Sequence, residues 1–206
     1  MPRDLNKVFE QIYRKEVWGK GKGSGTGSSP EYCRDYLSYL RAVIPDGARV
    51  LDIGCGDHQL YAEFDLSKWE YLGLDVAEEA LVLAANCYEK PPPLILVKNF
   101  DEIMNVVGSF GPDYVLLKDV MMHWTDEEIT DFLDRLCPFV PTATIIASHN
   151  YKYFRKPSMN FEPRKLDRYS WAPVPEHHPA MVRHGFVGVR YYPRGKYKLI
   201  SVRKPK

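Results

Sequence analysis

The chain has 206 residues, 45% of them hydrophobic and 27% charged, with a formal net charge of +1. That is one globular domain's worth of chain, long enough to bury a core, and it excludes wholesale disorder. The near-zero balance hides a split: residues 1–28 carry +3, 29–150 carry −13, 151–170 carry +4 and 171–206 carry +7. Either an anionic partner meets the C-terminal part, or these are solvated faces of one fold.

The opening, MPRDLNKVFEQIYRKE, mixes charges with apolar residues and lacks the hydrophobic block of a signal peptide. Residues 19–29 read GKGKGSGTGSS, a flexible loop or linker by composition. Ser29 and Pro30 read as an N-cap and first-turn proline. The helix they open carries Tyr32, Tyr36, Leu37, Leu40, Val43 and Ile44 at helical spacing and ends before Pro45-Asp46-Gly47. Strand and helix signals then alternate. Short apolar runs lie at Ala48–Ile53, Tyr71–Leu74, Leu94–Val97, Tyr114–Leu117 and Thr142–Ala147, with helical patterns at 77–88 and from Thr125 to about Leu136. Strands that are near-uniformly apolar and alternate with helices imply a parallel sheet covered on both faces. Leu94–Val97 reads as one of the buried strands.

After an irregular stretch at 150–173, a short helix is expected around Glu176–His184. Phe186–Tyr192 and Lys196–Val202 flank Pro193-Arg194-Gly195 and read as an antiparallel hairpin. The expected fold is a Rossmann-like α/β three-layer sandwich, with a seven-stranded, mostly parallel sheet and a late antiparallel strand. Its expected division is an N-terminal segment with a Gly/Ser-rich lid over 1–29 and a catalytic domain over 30–206. No run of eighteen apolar residues is present, so no transmembrane helix is expected. Cys33, Cys55, Cys87 and Cys137 are scattered without a CxxC pair. That argues against a zinc site and a disulfide scaffold and suits a reducing, cytoplasmic setting.

The most specific string is Arg49-Val50-Leu51-Asp52-Ile53-Gly54-Cys55-Gly56-Asp57. A buried strand runs into a bend whose two glycines let the backbone approach a ligand closely. The dinucleotide fingerprint needs a third glycine where this chain has Gln59. The next strand ends YLGLD, placing Asp75 nineteen residues after Gly56. A carboxylate at that strand tip accepts hydrogen bonds from both hydroxyls of a ribose.

LDIGCGD followed by YLGLD resembles the class I S-adenosylmethionine-dependent methyltransferases. Their cofactor strand ends in a D/E-x-G-x-G loop, and the acid of the second strand holds the ribose. The resemblance covers about residues 30–202. It implies that S-adenosyl-L-methionine is the cofactor and S-adenosyl-L-homocysteine the product. It also implies that Gly54, Cys55 and Gly56 pass close to the methionine half, that Asp52 orders the loop and meets the cofactor's amino group, and that Asp75 binds ribose. Val76 lies against adenine, and Phe100, in Asn99-Phe100-Asp101, meets the adenine ring or serves as core packing. Tyr13, Trp18 and Ser24-Gly25-Thr26-Gly27-Ser28 resemble a W…SGxGS pattern that precedes the core in small methyltransferases, some of them linked to polysaccharide assembly. There Trp18, Ser24 and Gly25 would fold over the cofactor and exclude water.

Methyl transfer is an in-line displacement at a sulfonium carbon, so the protein mainly aligns the acceptor; a hydroxyl acceptor also needs a base. The fourth strand runs into Lys118-Asp119-Val120-Met121-Met122-His123 and the fifth into Ser148-His149-Asn150. Asp119, His123 and His149 are the candidate catalytic residues, with His149 first choice for the base and Asp119 next. If a helical turn follows Asp119, it and His123 face the same way. Asp119 and Lys118 are alternative cofactor contacts, the pair being faintly similar to the Lys/Asp pairs of ribose methyltransferases. A divalent cation on Asp119, His149 and Asn150 is a minor alternative. The fourth strand lacks the (D/N/S)PP(Y/F/W) string of base amine methylation and the paired glutamates of arginine methylation.

Residues 150–173 interleave Tyr151, Tyr153, Phe154, Phe161, Tyr169 and Trp171 with six basic residues. Aromatic faces stack on sugars or bases, and basic groups hold phosphate or carboxylate. The expected acceptor is a saccharide hydroxyl, free or on a nucleotide- or lipid-linked precursor, neutral or anionic. A nucleic-acid methyltransferase using the basic C-terminal part is the alternative.

Overall fold

The computed structural model describes residues 5–19, 23–150, 178–192 and 198–205. The chain forms two compact units, residues 1–103 and 104–206. The sheet has seven strands, in the spatial order 94–96, 70–75, 49–53, 114–118, 144–150, 198–203 and 187–192.

In the first unit, helix α1 (Leu5–Arg14) was not apparent from the mixed charge of the opening. Its apolar residues Val8, Phe9, Ile12 and Tyr13 nevertheless recur at helical spacing. Helix α2 (Pro30–Val43) begins where the proline signal placed it, with the Ser29 side chain accepting from Tyr32 N. Strands β1 (Arg49–Ile53), β2 (Glu70–Asp75) and β3 (Leu94–Leu96) are parallel, with Leu51 opposite Leu72 and Leu74 opposite Ile95. Helix α3 (Glu78–Ala85) follows β2. Its Ala77–Ala80 side, together with Tyr13, forms a small core joined by Phe9, Trp18 and Leu83.

One expectation is corrected here. β3 is not a buried strand: Ile95 and Leu96 are 39% and 38% exposed. It is the last strand at one edge of the sheet, so it is bonded on one side only.

Helix α4 (Phe100–Phe110) crosses from the first unit into the second. In the second unit, β4 (Tyr114–Lys118) and β5 (Thr144–Asn150) are parallel, with Lys118 opposite Ser148. Helix α5 (Asp126–Phe139) has a capping box built by Thr125 and Glu128 and runs on through Pro138, past the expected end. Helix α6 is short (Pro179–Arg183), and β6 (Val187–Tyr192) and β7 (Lys198–Arg203) pair antiparallel. β7 is also antiparallel to β5, which is the late antiparallel strand that the hairpin signal implied. Most of the stretch 150–173 expected to meet the acceptor, the start of the helix expected around Glu176–His184, and Pro193-Arg194-Gly195 lie outside the described residues.

Two basic residues of the last quarter are committed internally. Buried Arg203 donates to the carbonyls of Val140 and Ala143, just past α5, at 2.7 and 3.3 Å. Arg183 Nη2 donates to both carboxylate oxygens of Asp134, at 2.6 and 2.8 Å. Among the described residues no helix is long and apolar enough to cross a membrane.

Candidate functional site

β1 ends in a bend that only glycine adopts without strain. Gly54 has φ 74° and Gly56 has φ 63°. The N–H groups of Gly54 and Cys55 both donate to Leu74 O, at 2.7 and 2.9 Å, which pins the bend to the end of β2. The next backbone N–H, of Gly56, donates to Asp75 Oδ2 at 2.8 Å, and Ala77 N donates to Oδ1 at 2.9 Å. Asp75 is therefore oriented by the same backbone that it helps to orient. Burial raises its pKa, with the Ala77, Gly56 and Val76 N–H groups opposing. A carboxylate oxygen can accept more than one hydrogen bond, so this carboxylate keeps acceptor capacity for hydroxyl donors. Val76, just after it, is half-buried.

Asp52 lies beneath the bend and is 1% exposed. Its Oδ2 accepts from Tyr61 OH at 2.8 Å and from Tyr71 OH at 2.9 Å. These bonds tie the end of β1 to β2 and to the turn at Gln59–Tyr61. His58, Tyr61, Tyr71 and Tyr88, which complete this group, were missed in the sequence. They are scattered over thirty-one positions, and no spacing rule unites them.

The N-terminal segment reaches the bend. Ser24 N donates to Asp57 Oδ2 at 2.9 Å, Asp57 N donates to Ser24 Oγ at 3.3 Å, and Tyr13 OH lies 2.7 Å from Ser24 Oγ. Trp18 meets Tyr13 edge-on, with ring centroids 5.7 Å apart. It also packs on buried Gly25, where an added Cβ would come within 3.2 Å of Trp18 Cβ. Residues 23–25 are therefore joined to the bend and are no free linker. An added Cβ at Gly56 would stand 2.5 Å from Ser24 Oγ and 3.1 Å from Tyr13 OH. In Gly56→Ala, left-handed backbone alone costs about 1–2 kcal/mol. The melting midpoint should fall by about 3–8 °C and Trp18 emission should shift to the red. A midpoint within a degree of wild type, with unchanged emission, would show that the strap does not bear on the bend.

Phe100 is partly buried at the first position of α4. Its neighbour Asn99 is occupied in capping that helix: Asn99 Oδ1 accepts from Glu102 N at 2.9 Å and Asn99 Nδ2 donates to Glu102 Oε1 at 3.1 Å.

In the second unit, Lys118 ends β4 and is buried. Its Nζ is 2.8 Å from Asp119 Oδ2. Asp119 has φ 57°, and its N–H donates to Ser148 O. A left-handed non-glycine residue at a strand tip is held there by its surroundings and is a common feature of functional sites. A three-residue 3₁₀ turn, Met121–His123, follows. The α-helical spacing that would have set Asp119 and His123 on one face is therefore not formed. His149 and Asn150 continue β5, opposite Leu199 and Lys198 of β7. Among the described residues no group of three His, Cys, Asp or Glu side chains is gathered for a metal ion.

No protein-family model matches the sequence, and no curated protein matches it either. Solved structures do. A magnesium protoporphyrin IX methyltransferase from Synechocystis with bound SAH is 18% identical, covers 98% of this chain and 98% of its own, and has a TM-score of 0.63. A SAM-dependent methyltransferase from Anabaena variabilis is 12% identical over 99% of this chain and 96% of its own, with a TM-score of 0.71. The 1,6-didemethyltoxoflavin-N1-methyltransferase from Burkholderia thailandensis, with its acceptor and S-adenosylhomocysteine bound, is 18% identical over 98% and 88%, with a TM-score of 0.68. This chain has the class I methyltransferase fold.

Proposed function

We propose that the chain is an S-adenosylmethionine-dependent O-methyltransferase whose acceptor is a saccharide hydroxyl. One observation carries the cofactor half of this reading: the bend at 54–56 and the Asp75 carboxylate are a single hydrogen-bonded unit, Gly56 N to Asp75 Oδ2 at 2.8 Å. The residues fit the cofactor. Gly54 and Gly56 keep side chains away from its methionine half, and Asp75 retains acceptor capacity for the ribose diol. Val76 and Phe100 supply apolar surface for adenine. Trp18, Ser24 and Gly25 form a strap over the bend, in the N-terminal segment up to residue 29 that precedes the catalytic domain in sequence. Cys55 contributes backbone, since burial pushes its thiol well above the usual range and keeps it protonated.

When bound, the cofactor supplies a methyl group already activated on sulfur. The chain's own residues then align the acceptor and take its proton. His149 takes that proton. Asp119 is committed to the Lys118 ammonium and is better suited to orienting the acceptor than to deprotonating it, while Lys118 holds Asp119 in place. His123, at the end of its turn, is kept as the third candidate.

The saccharide acceptor is supported by the strap, whose pattern resembles that of methyltransferases of polysaccharide assembly, and by the aromatic and basic composition of 151–171. The internal use of Arg183 and Arg203 removes charge from the tail that a nucleic-acid acceptor would need. The test is calorimetry of the purified chain with S-adenosylhomocysteine, followed by methyl transfer from isotope-labelled cofactor to neutral and anionic saccharides and to RNA. Binding heat and an alkali-stable label on a saccharide are expected. Label on RNA only would overturn the acceptor, and absence of heat would overturn the whole reading.

A further inference from the structure

We propose that His58 is a positioning residue of the cofactor-binding bend, acting through Tyr71 on Asp52; the inference rests on the methyltransferase reading above. His58 is fully buried, two residues past Gly56, in left-handed backbone at φ 58°. A non-glycine residue stays in that conformation only where its surroundings fix it. What fixes it is its ring. Nδ1 lies 3.2 Å from Tyr88 OH and Nε2 lies 3.0 Å from Tyr71 OH. The rings of Tyr61, Tyr71 and Tyr88 all meet the imidazole edge-on, at 5.4 to 5.6 Å between centroids.

The direction of every proton follows from Asp52. An ionised carboxylate only accepts. Tyr71 spends its one proton on Asp52 Oδ2, so its oxygen must accept from His58 Nε2–H. A neutral imidazole with its proton on Nε2 presents a bare Nδ1, so Tyr88 must donate to it. The ring is neutral at ordinary pH because burial pushes its pKa down to about 4, against the pull of Asp57. Donation therefore runs one way, from Tyr88 through His58 and Tyr71 to Asp52, each bond polarising the next. The groups facing His58 are these three tyrosines and the Asp57 carboxylate, with the Cys87 thiol beyond, donating to Asp57 O at 3.6 Å.

The consequence concerns binding. Asp52 stands two residues before Gly54, so fixing its carboxylate fixes the last residues of β1 before the bend. A bend ordered in advance takes up the cofactor without the cost of ordering itself. Nothing in this chain of bonds touches the reacting atoms, which is why His58 positions and does not catalyse.

Nitrogen-15 NMR of the folded wild-type chain should show His58 protonated at Nε2 and bare at Nδ1, unchanged from about pH 8 to about pH 5.5. Calorimetry with S-adenosylhomocysteine should show Tyr71→Phe and His58→Phe each weakening binding about tenfold. The double variant should be no weaker than the poorer single one, because both cut one chain. Tyr88→Phe, at the half-buried end, removes the donor to Nδ1 with the least disturbance. It should let a proton appear on Nδ1 and weaken binding severalfold, and it serves if His58→Phe does not fold. Unchanged affinity in the folded variants, additive losses, or an Nδ1–H tautomer in the wild type would each overturn the inference alone. Absence of heat from the wild type would overturn the methyltransferase reading and this inference with it.

Discussion

Asp75→Asn should weaken binding of S-adenosylhomocysteine by about two to three orders of magnitude. A hydrogen bond to a charged group contributes about 1.5–3 kcal/mol, and a ribose diol makes two to this carboxylate in the proposed complex. The amide keeps the shape of the carboxylate but replaces one acceptor oxygen with a donor. Gly56 N and Ala77 N already claim one bond on each oxygen, so the new NH₂ must face one of these N–H groups. Part of the loss would then come from a disturbed bend. A 2′-deoxyribose analogue of the product separates the two causes. Against the analogue, wild type should lose about tenfold and Asp75→Asn much less, because the bond that the analogue lacks is already gone. If Asp75→Asn is folded and binds the product like wild type, the ribose is held elsewhere and the fit of the cofactor to this bend fails.

How much of this was open to reading in the sequence depended on whether a feature was local. Ser29-Pro30 placed the start of α2 because a cap and its proline are neighbours. The Gly54 and Gly56 bend was legible because left-handed backbone leaves a glycine signature, and Asp75 because the crossover between parallel strands fixes its spacing. The hairpin of β6 and β7 followed from alternation around a turn. α1 has the same quality of signal as α2, with Val8, Phe9, Ile12 and Tyr13 on one stripe, but its flanking charges masked it.

The Asp52 group shows the limit. Asp52 stands out in its own window as the acid of the D-x-G-x-G loop, but His58, Tyr61, Tyr71 and Tyr88 do not, and only tertiary folding brings two hydroxyls to that carboxylate, with an imidazole and a third hydroxyl behind them. The same holds for Asp119. An aspartate after an apolar strand suggested a rim residue, but nothing local signalled its left-handed backbone, which removes the helical relation to His123. β3 was misread for a related reason. Leu-Ile-Leu-Val is as apolar as a central strand, and a sheet edge is a fact of strand order rather than of composition.

The same distinction governs the catalytic proposal. His149→Ala should lower the rate of methyl transfer by about 10²–10⁴, the range that a positioned general base supplies, while leaving the dissociation constant of S-adenosylhomocysteine within about twofold. Asp119→Asn should have the smaller effect on the chemical step and the larger one on the KM of the acceptor. The reason is its bond to Lys118 at 2.8 Å: a carboxylate tied to an ammionium holds a hydroxyl more readily than it strips one. The amide still accepts from Lys118, so the left-handed residue and its N–H bond to Ser148 O should survive, and the variant should fold. The pH profile tells the two roles apart. In wild type the rate should rise with pH as the general base loses its proton. That rise should persist in Asp119→Asn and vanish in His149→Ala. Should His149→Ala keep both the rate and the rising limb while Asp119→Asn loses them, the base is Asp119 and the order of the two residues is reversed. Full rates in both would leave the β4 and β5 ends without a catalytic role.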